Sequence, residues 1–377
     1  MPILKYIQYE WFKQKYRSTR FMQVFACSVV LFATVVLADS PRFSPVTPDY
    51  VLTFPHDYGA HPDFRIEWWY VTGWLETVDK EPLGFQITFF RSATGHNPDN
   101  PSRFAPKQLI IAHMALSDPD KGKVLYEQRS AREGFELSYA RLGNTDIKLD
   151  DWRFVREIDG GYQVNMQAAD FSLDLSLAPT QAMILQGDKG FSRKGPTLAQ
   201  ASYYYSEPHL NVAGTIFHHN QPVTVSGRAW LDHEWSSELL DAEAVGWDWV
   251  GANLADGSAF MAFQIRHKNG TQLWAQAILR DASGHVTQFK PEQIEFVPVR
   301  TWRSPYTEAI YPVVMRVHTD TAEWLLTPLL DDQELDSRQS IGAAYWEGAV
   351  TLTRDGQFAG QGYLELTGYA DSLNLNR

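Results

Sequence analysis

Beyond residue 40 the chain offers no long, well-capped helix. What recurs instead is a series of short segments alternating polar and apolar side chains, separated by turn-forming clusters. Alternation with a period of two sends successive side chains to opposite faces of an extended strand, so it restricts this chain to sheet structure. Residues 66–75 and 83–91 read as a hairpin around the acidic turn 77–81. Residues 108–116, 135–140, 146–157, 161–168 and 171–177 read as further strands, with Asp159-Gly160-Gly161 as a tight turn. Gly187, Gly190, Gly195 and Pro196 mark 187–202 as a loop. The pattern resumes at 210–217, 221–232, 244–254, 258–266, 271–279 and 286–289, and again at 323–328, 344–354 and 360–369. The expected fold class is all-β.

The two halves echo each other. Glu67-Trp68-Trp69-Tyr70-Val71-Thr72-Gly73-Trp74-Leu75 leads through a turn into Phe85-Gln86-Ile87 and Arg91. Asp248-Trp249-Val250-Gly251-Ala252-Asn253-Leu254 leads into Phe263-Gln264-Ile265-Arg266. An acidic-aromatic strand followed by a Phe-Gln-Ile strand therefore occurs twice, which suggests duplicated β-barrels. The expected division is a first barrel over 45–209 and a second over 210–377.

The first 38 residues differ in kind. Lys5, Lys13, Lys15, Arg17 and Arg20 stand against Glu10, and residues 21–38 are uncharged and largely apolar, ending in Val36-Leu37-Ala38. That order of basic segment, apolar run and small-residue ending reads as a secretory signal cleaved after Ala38, with an uncleaved membrane anchor as the alternative. The expected location is outside the cytoplasm, periplasmic or secreted. Cys27, the only cysteine, lies inside the apolar run, so no disulfide holds the exported part together. The formal net charge is −12, and without the basic leader the remainder carries about −16. Such a balance disfavours nucleic acid as a partner and leaves a neutral lipophilic ligand open.

Thirteen tryptophans and 17 tyrosines suit sheet structure and an apolar ligand. On an extended 230–237 segment, Leu231, His233, Trp235 and Ser237 face one way, and Trp230, Asp232, Glu234 and Ser236 the other. His233 and Trp235 are expected to line one pocket, with Asp232 and Glu234 in structural or interdomain hydrogen bonds. Residues 67–74 divide likewise into Glu67, Trp69, Val71 and Gly73 against Trp68, Tyr70, Thr72 and Trp74. Arg65 and Arg91 are candidates to pair with Glu67, because a charge in an aromatic wall must be paired or shift its pKa. His56 and His61 have no diagnostic metal spacing, and His218-His219 is expected to be exposed in a hairpin turn. No Gly-x-Ser-x-Gly elbow, dinucleotide fingerprint or phosphate loop is present, and no cofactor or metal is expected.

The run Phe54-Pro55-x-Asp57-x-Gly59-x-His61-Pro62-x-Phe64-Arg65-x-Glu67-Trp68-Trp69-Tyr70, with Asp232-His233-Glu234-Trp235-Ser236 and Gly246-Trp247-Asp248-Trp249, resembles the AttH family. These are lipocalin-like exported proteins related to carotenoid 1,2-hydratases. The resemblance implies two lipocalin-like antiparallel β-barrels packed side by side. It also implies that His233 and Trp235 match a His-x-Trp pair associated with the hydratase pocket. That branch is further thought to use a Tyr and an Asp, and the strand around 259–263 supplies neither. The expected function is binding of a lipophilic small molecule, isoprenoid or polyketide-like. One alternative is a cofactor-independent hydratase, isomerase or cyclase acting by acid catalysis on a polyene. In that case His233 with Asp248 or Glu234 would move protons, Trp235, Trp247 or Trp249 would stabilise a carbocation, and these rings with Trp69 and Tyr70 would enclose the ligand. A third expectation, from resemblance alone, is an interaction protein accessory to a membrane transporter.

Overall fold

The computed structural model describes residues 43–97, 99–219 and 221–372. The signal or anchor expected over 1–38 lies outside them. Among the described residues twenty-three strands follow one another, and the only helical elements are the single turns His56–Tyr58 and Pro291–Gln293. The first sheet takes β1 (Ile66–Thr77), β2 (Pro82–Ala93), β3 (Gln108–Asp118), β4 (Lys123–Arg132), β5 (Ser138–Ala140), β6 (Asp146–Leu149), β7 (Trp152–Arg156), β8 (Tyr162–Gln167), β9 (Ser172–Ala178), β10 (Ile184–Leu185), β11 (Phe191–Arg193), β12 (Ala201–His218) and β13 (Gln221–Ser236). The second takes β14 (Ala244–Leu254), β15 (Ala259–His267), β16 (Gln272–Arg280), β17 (Val286–Phe289), β18 (Ile294–Arg303), β19 (Ile310–Thr319), β20 (Ala322–Pro328), β21 (Glu334–Ser337), β22 (Ala343–Arg354) and β23 (Gln357–Leu366).

All pairings are antiparallel. The first sheet runs β4-β3-β2-β1-β13-β12-β9-β8-β7-β6-β5 and curls until β3 and β4 approach β5 and β6. The second runs β17-β16-β15-β14-β23-β22-β20-β19-β18 and curls until β16 approaches β18. The architecture is two lipocalin-like antiparallel β-barrels packed side by side. β12 continues through residues 209–210, where the sequence places a division, with only a bulge between Glu207 and Leu210. The sheets instead part between Ser236 and Ala244.

Three large apolar clusters, with a small fourth of Ala115, Val124, Leu335 and Tyr345, account for the packing. One fills the first barrel with residues such as Trp69, Val71, Phe85, Trp152, Tyr205, Leu231 and Trp235. Another fills the second with Val250, Phe260, Tyr311, Trp324, Trp346 and Leu364. The third is the seam between them, holding Tyr70, Trp74, Tyr204, Trp230, Trp249, Phe263 and Tyr363. Strands β1, β14 and β22, the Ala229–Ser236 half of β13 and the Gly362–Leu366 end of β23 are therefore buried on both faces: one set of alternate residues fills a barrel and the other fills the seam. The close approach needs small residues. A Cβ on Gly73 would sit 2.4 Å from the Arg228 carbonyl oxygen, and one on Gly84 would sit 2.6 Å from the Ala349 methyl across the seam.

Candidate functional site

Inside the first barrel, Glu67 is the hub of a buried polar network. Its Oε1 receives hydrogen bonds from His61 Nδ1 at 2.6 Å and His233 Nε2 at 2.9 Å. Its Oε2 accepts from the His61 amide at 2.8 Å and from Arg91 Nε at 2.7 Å. Arg91 also donates to the carbonyls of His61 and Phe64, fixing the entry of the chain into β1. His61 Nε2 faces Asp57 Oδ1 at 3.3 Å, and Asp57 is bonded in turn by Tyr50 and the Thr53 amide. Burial pushes the Glu67 carboxyl up, but His61 and Arg91 overcome it and hold Glu67 well below the usual range. Burial also opposes charge on His61, and the carboxylates of Glu67 and Asp57 raise its pKa nevertheless. Burial lowers His233 to about 4, so its ring is neutral, donating from Nε2 to Glu67 and accepting at Nδ1 from Tyr205 Oη at 3.1 Å.

This network is structural in kind. Arg91 pairs with Glu67, whereas Arg65 is partly exposed and makes no ion pair among the described residues. His233 is fully buried, packed against Trp69 with ring centroids 4.5 Å apart, and Trp235 stacks on His61 at 3.7 Å. His233, Trp235 and Trp69 thus face the barrel interior. The side chains of His61, Glu67 and His233 are spaced as metal ligands would be. Their facing atoms are already hydrogen-bonded and the Arg91 guanidinium supplies the positive charge, so the set does not fit a cation.

Asp248 occupies the corresponding place in the second barrel. It accepts from Gln264 at 2.6 Å, Arg266 at 3.0 Å and Tyr369 at 3.0 Å. Burial raises its pKa against the pull of Arg266. An acid–arginine pair therefore stands inside each barrel, Glu67–Arg91 and Asp248–Arg266, but the echoed Phe-Gln-Ile strands are out of phase, with Phe85 and Ile87 filling the first barrel and Phe263 and Ile265 facing the seam.

The open space lies elsewhere, in the seam. A cavity of about 320 Å³ is walled from the first barrel by Trp68, Tyr70, Thr88, Phe90, Asp232 and Glu234, and from the second by Trp247, Trp249, Phe263, Tyr345, Glu347 and Glu365. It reaches Glu67 and Arg91 at one edge. His233, Trp235, Trp69 and Asp248 take no part in its lining. A second cavity, about 330 Å³, lies further along the same seam beside Thr72, Trp74, Arg228, Trp230 and Asn253. The aromatic group of Tyr70, Trp230 and Trp249 stands between the two, with Trp249 edge-on to both partners.

The first of these cavities is mostly apolar yet holds, besides Glu67 at its edge, four carboxyl groups. Glu234 is paired with Lys194 at 3.0 Å. Asp232 accepts from Tyr204 Oη and Trp230 Nε1, each at 2.6 Å, and from Ser206. Burial nevertheless pushes Asp232 up to about 7. Glu347 and Glu365 are direct cross-strand partners on β22 and β23, which brings two acids within about 5 Å at Cβ. Glu365 accepts from Trp247 Nε1 at 2.9 Å. Glu347 is 2% exposed, has no ion-pair partner among the described residues, and its Oε1 has no hydrogen-bond partner among them. Burial first, then the neighbouring Glu365, pushes Glu347 well above the usual carboxylate range. Burial raises Glu365 to about 7 despite the bond from Trp247. Two carboxyls in this position cannot both ionise without a large electrostatic cost, so the pair keeps a proton near neutrality.

Of the residues singled out in the sequence, Asp232, Glu234, Tyr70, Trp247 and Trp249 meet at this cavity, with Glu67 and Arg91 at its edge. Lys194, Tyr204, Tyr345, Glu347 and Glu365 join them and were not singled out. The available signal was an acid inside an otherwise apolar strand, as in Tyr345-Trp346-Glu347-Gly348-Ala349 and Tyr363-Leu364-Glu365-Leu366.

The AttH-like family profile matches residues 45–369. An AttH-like protein of Nitrosomonas europaea, known from a crystal structure, is 63% identical, with a TM-score of 0.82 over 87% of this chain and all of that one. The acyclic carotenoid 1,2-hydratase of Rubrivivax gelatinosus is 31% identical over 99 residues, 26% of this chain and 24% of the hydratase. Kievitone hydratase of Nectria haematococca shares the fold at 14% identity, with a TM-score of 0.65 over 88% of this chain and 96% of that one.

Proposed function

We propose that this chain, which belongs to the AttH-like family, takes a lipophilic small molecule into the seam cavity and presents it with a protonated carboxyl pair, Glu347 and Glu365. The observation that carries this reading is the pairing of those two acids on facing strands of an aromatic-walled space, with no cation beside Glu347 among the described residues. The wall of Trp68, Tyr70, Trp247, Trp249 and Phe263 supplies apolar contact, and a few polar groups orient the ligand, as is usual for such sites. A volume of about 320 Å³ suits the end of an isoprenoid or a compact polyketide rather than a whole carotenoid.

The same acids favour a hydratase-like or isomerase reaction over passive carriage. A neutral Glu347 gives its proton to an alkene carbon, and a carbocation forms at the neighbouring carbon. Trp247 and Trp249 stabilise that cation through their ring faces, by about 2 kcal/mol or more in a dry site. Water adds to the cation, and the proton it releases returns to the carboxylate of the pair, restoring the starting state. Loss of a proton from carbon in place of water addition gives isomerisation. The weak match to a carotenoid hydratase agrees with this chemistry. Export to the periplasm or beyond remains part of the proposal and would bring the site to substrates outside the cytoplasm.

The test is native mass spectrometry of the purified protein with organic extraction, followed by incubation of the extracted compound with wild type and with E347Q. The reading expects a bound apolar compound and a conversion that E347Q abolishes. Release of the compound unchanged by wild type removes the catalytic part, and absence of any apolar compound or affinity removes the whole.

A further inference from the structure

A second cluster of chemically competent side chains lies far from the seam cavity, at the end of the first barrel. β12 and β13 are longer than their neighbours, and their hairpin projects past β1 to reach the end of β3. It brings His218 and His219 onto Asp118, the last residue of β3. The sequence reading expects both histidines in solvent, but His218 is only 5% exposed and Asp118 only 2%; His219 alone stays open to water. A turn after β3 sets the carboxylate: the Asp120 amide donates to Asp118 Oδ1 at 2.8 Å, which leaves Oδ2 turned to the hairpin.

Oδ2 lies 3.2 Å from His218 Nε2 and 3.6 Å from His219 Nε2, and all three atoms fall within 4.8 Å of one another. Despite that proximity Oδ2 has no hydrogen-bond partner among the described residues. The two imidazole nitrogens approach one oxygen without the alignment of a hydrogen bond. Ligands about 2.0–2.2 Å from a tetrahedral zinc ion stand about 3.4 Å apart, and the two measured separations bracket that spacing.

We propose that Asp118, His218 and His219 form a three-ligand site for a borderline divalent ion of the zinc type. Two imidazoles and one carboxylate are the donor set such ions prefer, and a fourth position is open to water on the exposed side of His219. The ion would tie the β12–β13 hairpin to β3 and so pin one end of the first barrel. The proposal is independent of the seam reading.

The experiment is competition of Zn²⁺ between a colorimetric chelator and tag-free protein stripped of metal, for wild type, H219A, D118N and H56A. The expected result is one ion per chain in wild type and H56A. In H219A and D118N the affinity should fall by more than the roughly 10–100-fold that loss of an outer-shell partner costs. Zn²⁺ should raise the Tm of wild type and leave that of H219A unchanged. H219A removes a side chain 41% exposed, so its metal-free Tm should equal that of wild type, which separates ligand loss from misfolding. Cobalt(II) in place of zinc should give the visible absorption of a four-coordinate ion. Absence of stoichiometric binding, or equal affinity in wild type and H219A, overturns the proposal.

Discussion

Replacing Glu347 by Gln tests the carboxyl pair in a way that needs no substrate. The folded protein keeps a proton on Glu347 well above its ordinary 4.5, chiefly because burial penalises the charged form. The unfolded chain releases that proton near 4.5. Across the window between the two values the native state therefore binds one more proton, and stability falls as pH rises. The contribution is complete below the unfolded pKa and is lost as pH climbs through the folded one. Its slope is about 1.4 kcal/mol per pH unit, so wild type should lose stability at about that rate while the pH stays inside this window. Gln keeps the shape and cannot titrate. Any constant cost or gain of the substitution moves the whole curve and leaves the slope as the readout. Urea unfolding monitored by tryptophan fluorescence, in steps from pH 5.5 to 8, gives the stability difference between E347Q and wild type. Above pH 5.5, E347Q should gain on wild type by about 1.4 kcal/mol per pH unit until the native Glu347 ionises. A difference that stays flat over that range would mean Glu347 is ionised in the fold, and the assignment of a proton donor would be lost.

Glu67→Gln should cost about 3–5 kcal/mol in urea unfolding, because it leaves the buried charges of Arg91 and His61 without their carboxylate; a loss under about 1 kcal/mol would contradict the network described. His233→Ala should lower stability by about 2–4 kcal/mol through the gap it leaves between Trp69 and Trp235, while the Kd of an apolar fluorescent probe for the seam stays within about threefold; a selective loss of probe binding would place His233 at the ligand after all. Trp249→Ala removes the partition between the two seam cavities. It should let the protein accept a longer apolar probe than wild type does, and unchanged selectivity in a chain-length series would count against a continuous seam.

The all-β class was legible because alternation is a local property. The hairpin read over 66–91 appears as β1 and β2, and the division of Glu67 and Trp69 from Trp68 and Tyr70 holds along β1. Alternation cannot say which face is which when both are buried. Asp232 and His233 stand on opposite faces as read, but the sequence has no mark to show that His233 faces a filled barrel and Asp232 the seam. The paired acids were hidden for another reason. Glu347 and Glu365 meet only through the β22–β23 register, which depends on turn length and a bulge near Leu352. β4 escaped notice as a polar edge strand with little alternation in burial. His218 looked exposed because a hairpin turn usually is; that this hairpin reaches Asp118 is a tertiary fact.

The most direct measurement is a crystal structure of the protein carrying its extracted or soaked apolar ligand. The ligand should lie between the barrels, in contact with Trp247 and Trp249, with its polar or reacting end within hydrogen-bond reach of Glu347 or Glu365. A ligand seated inside either barrel, or a seam whose aromatic rings close up with nothing between them, would contradict the account.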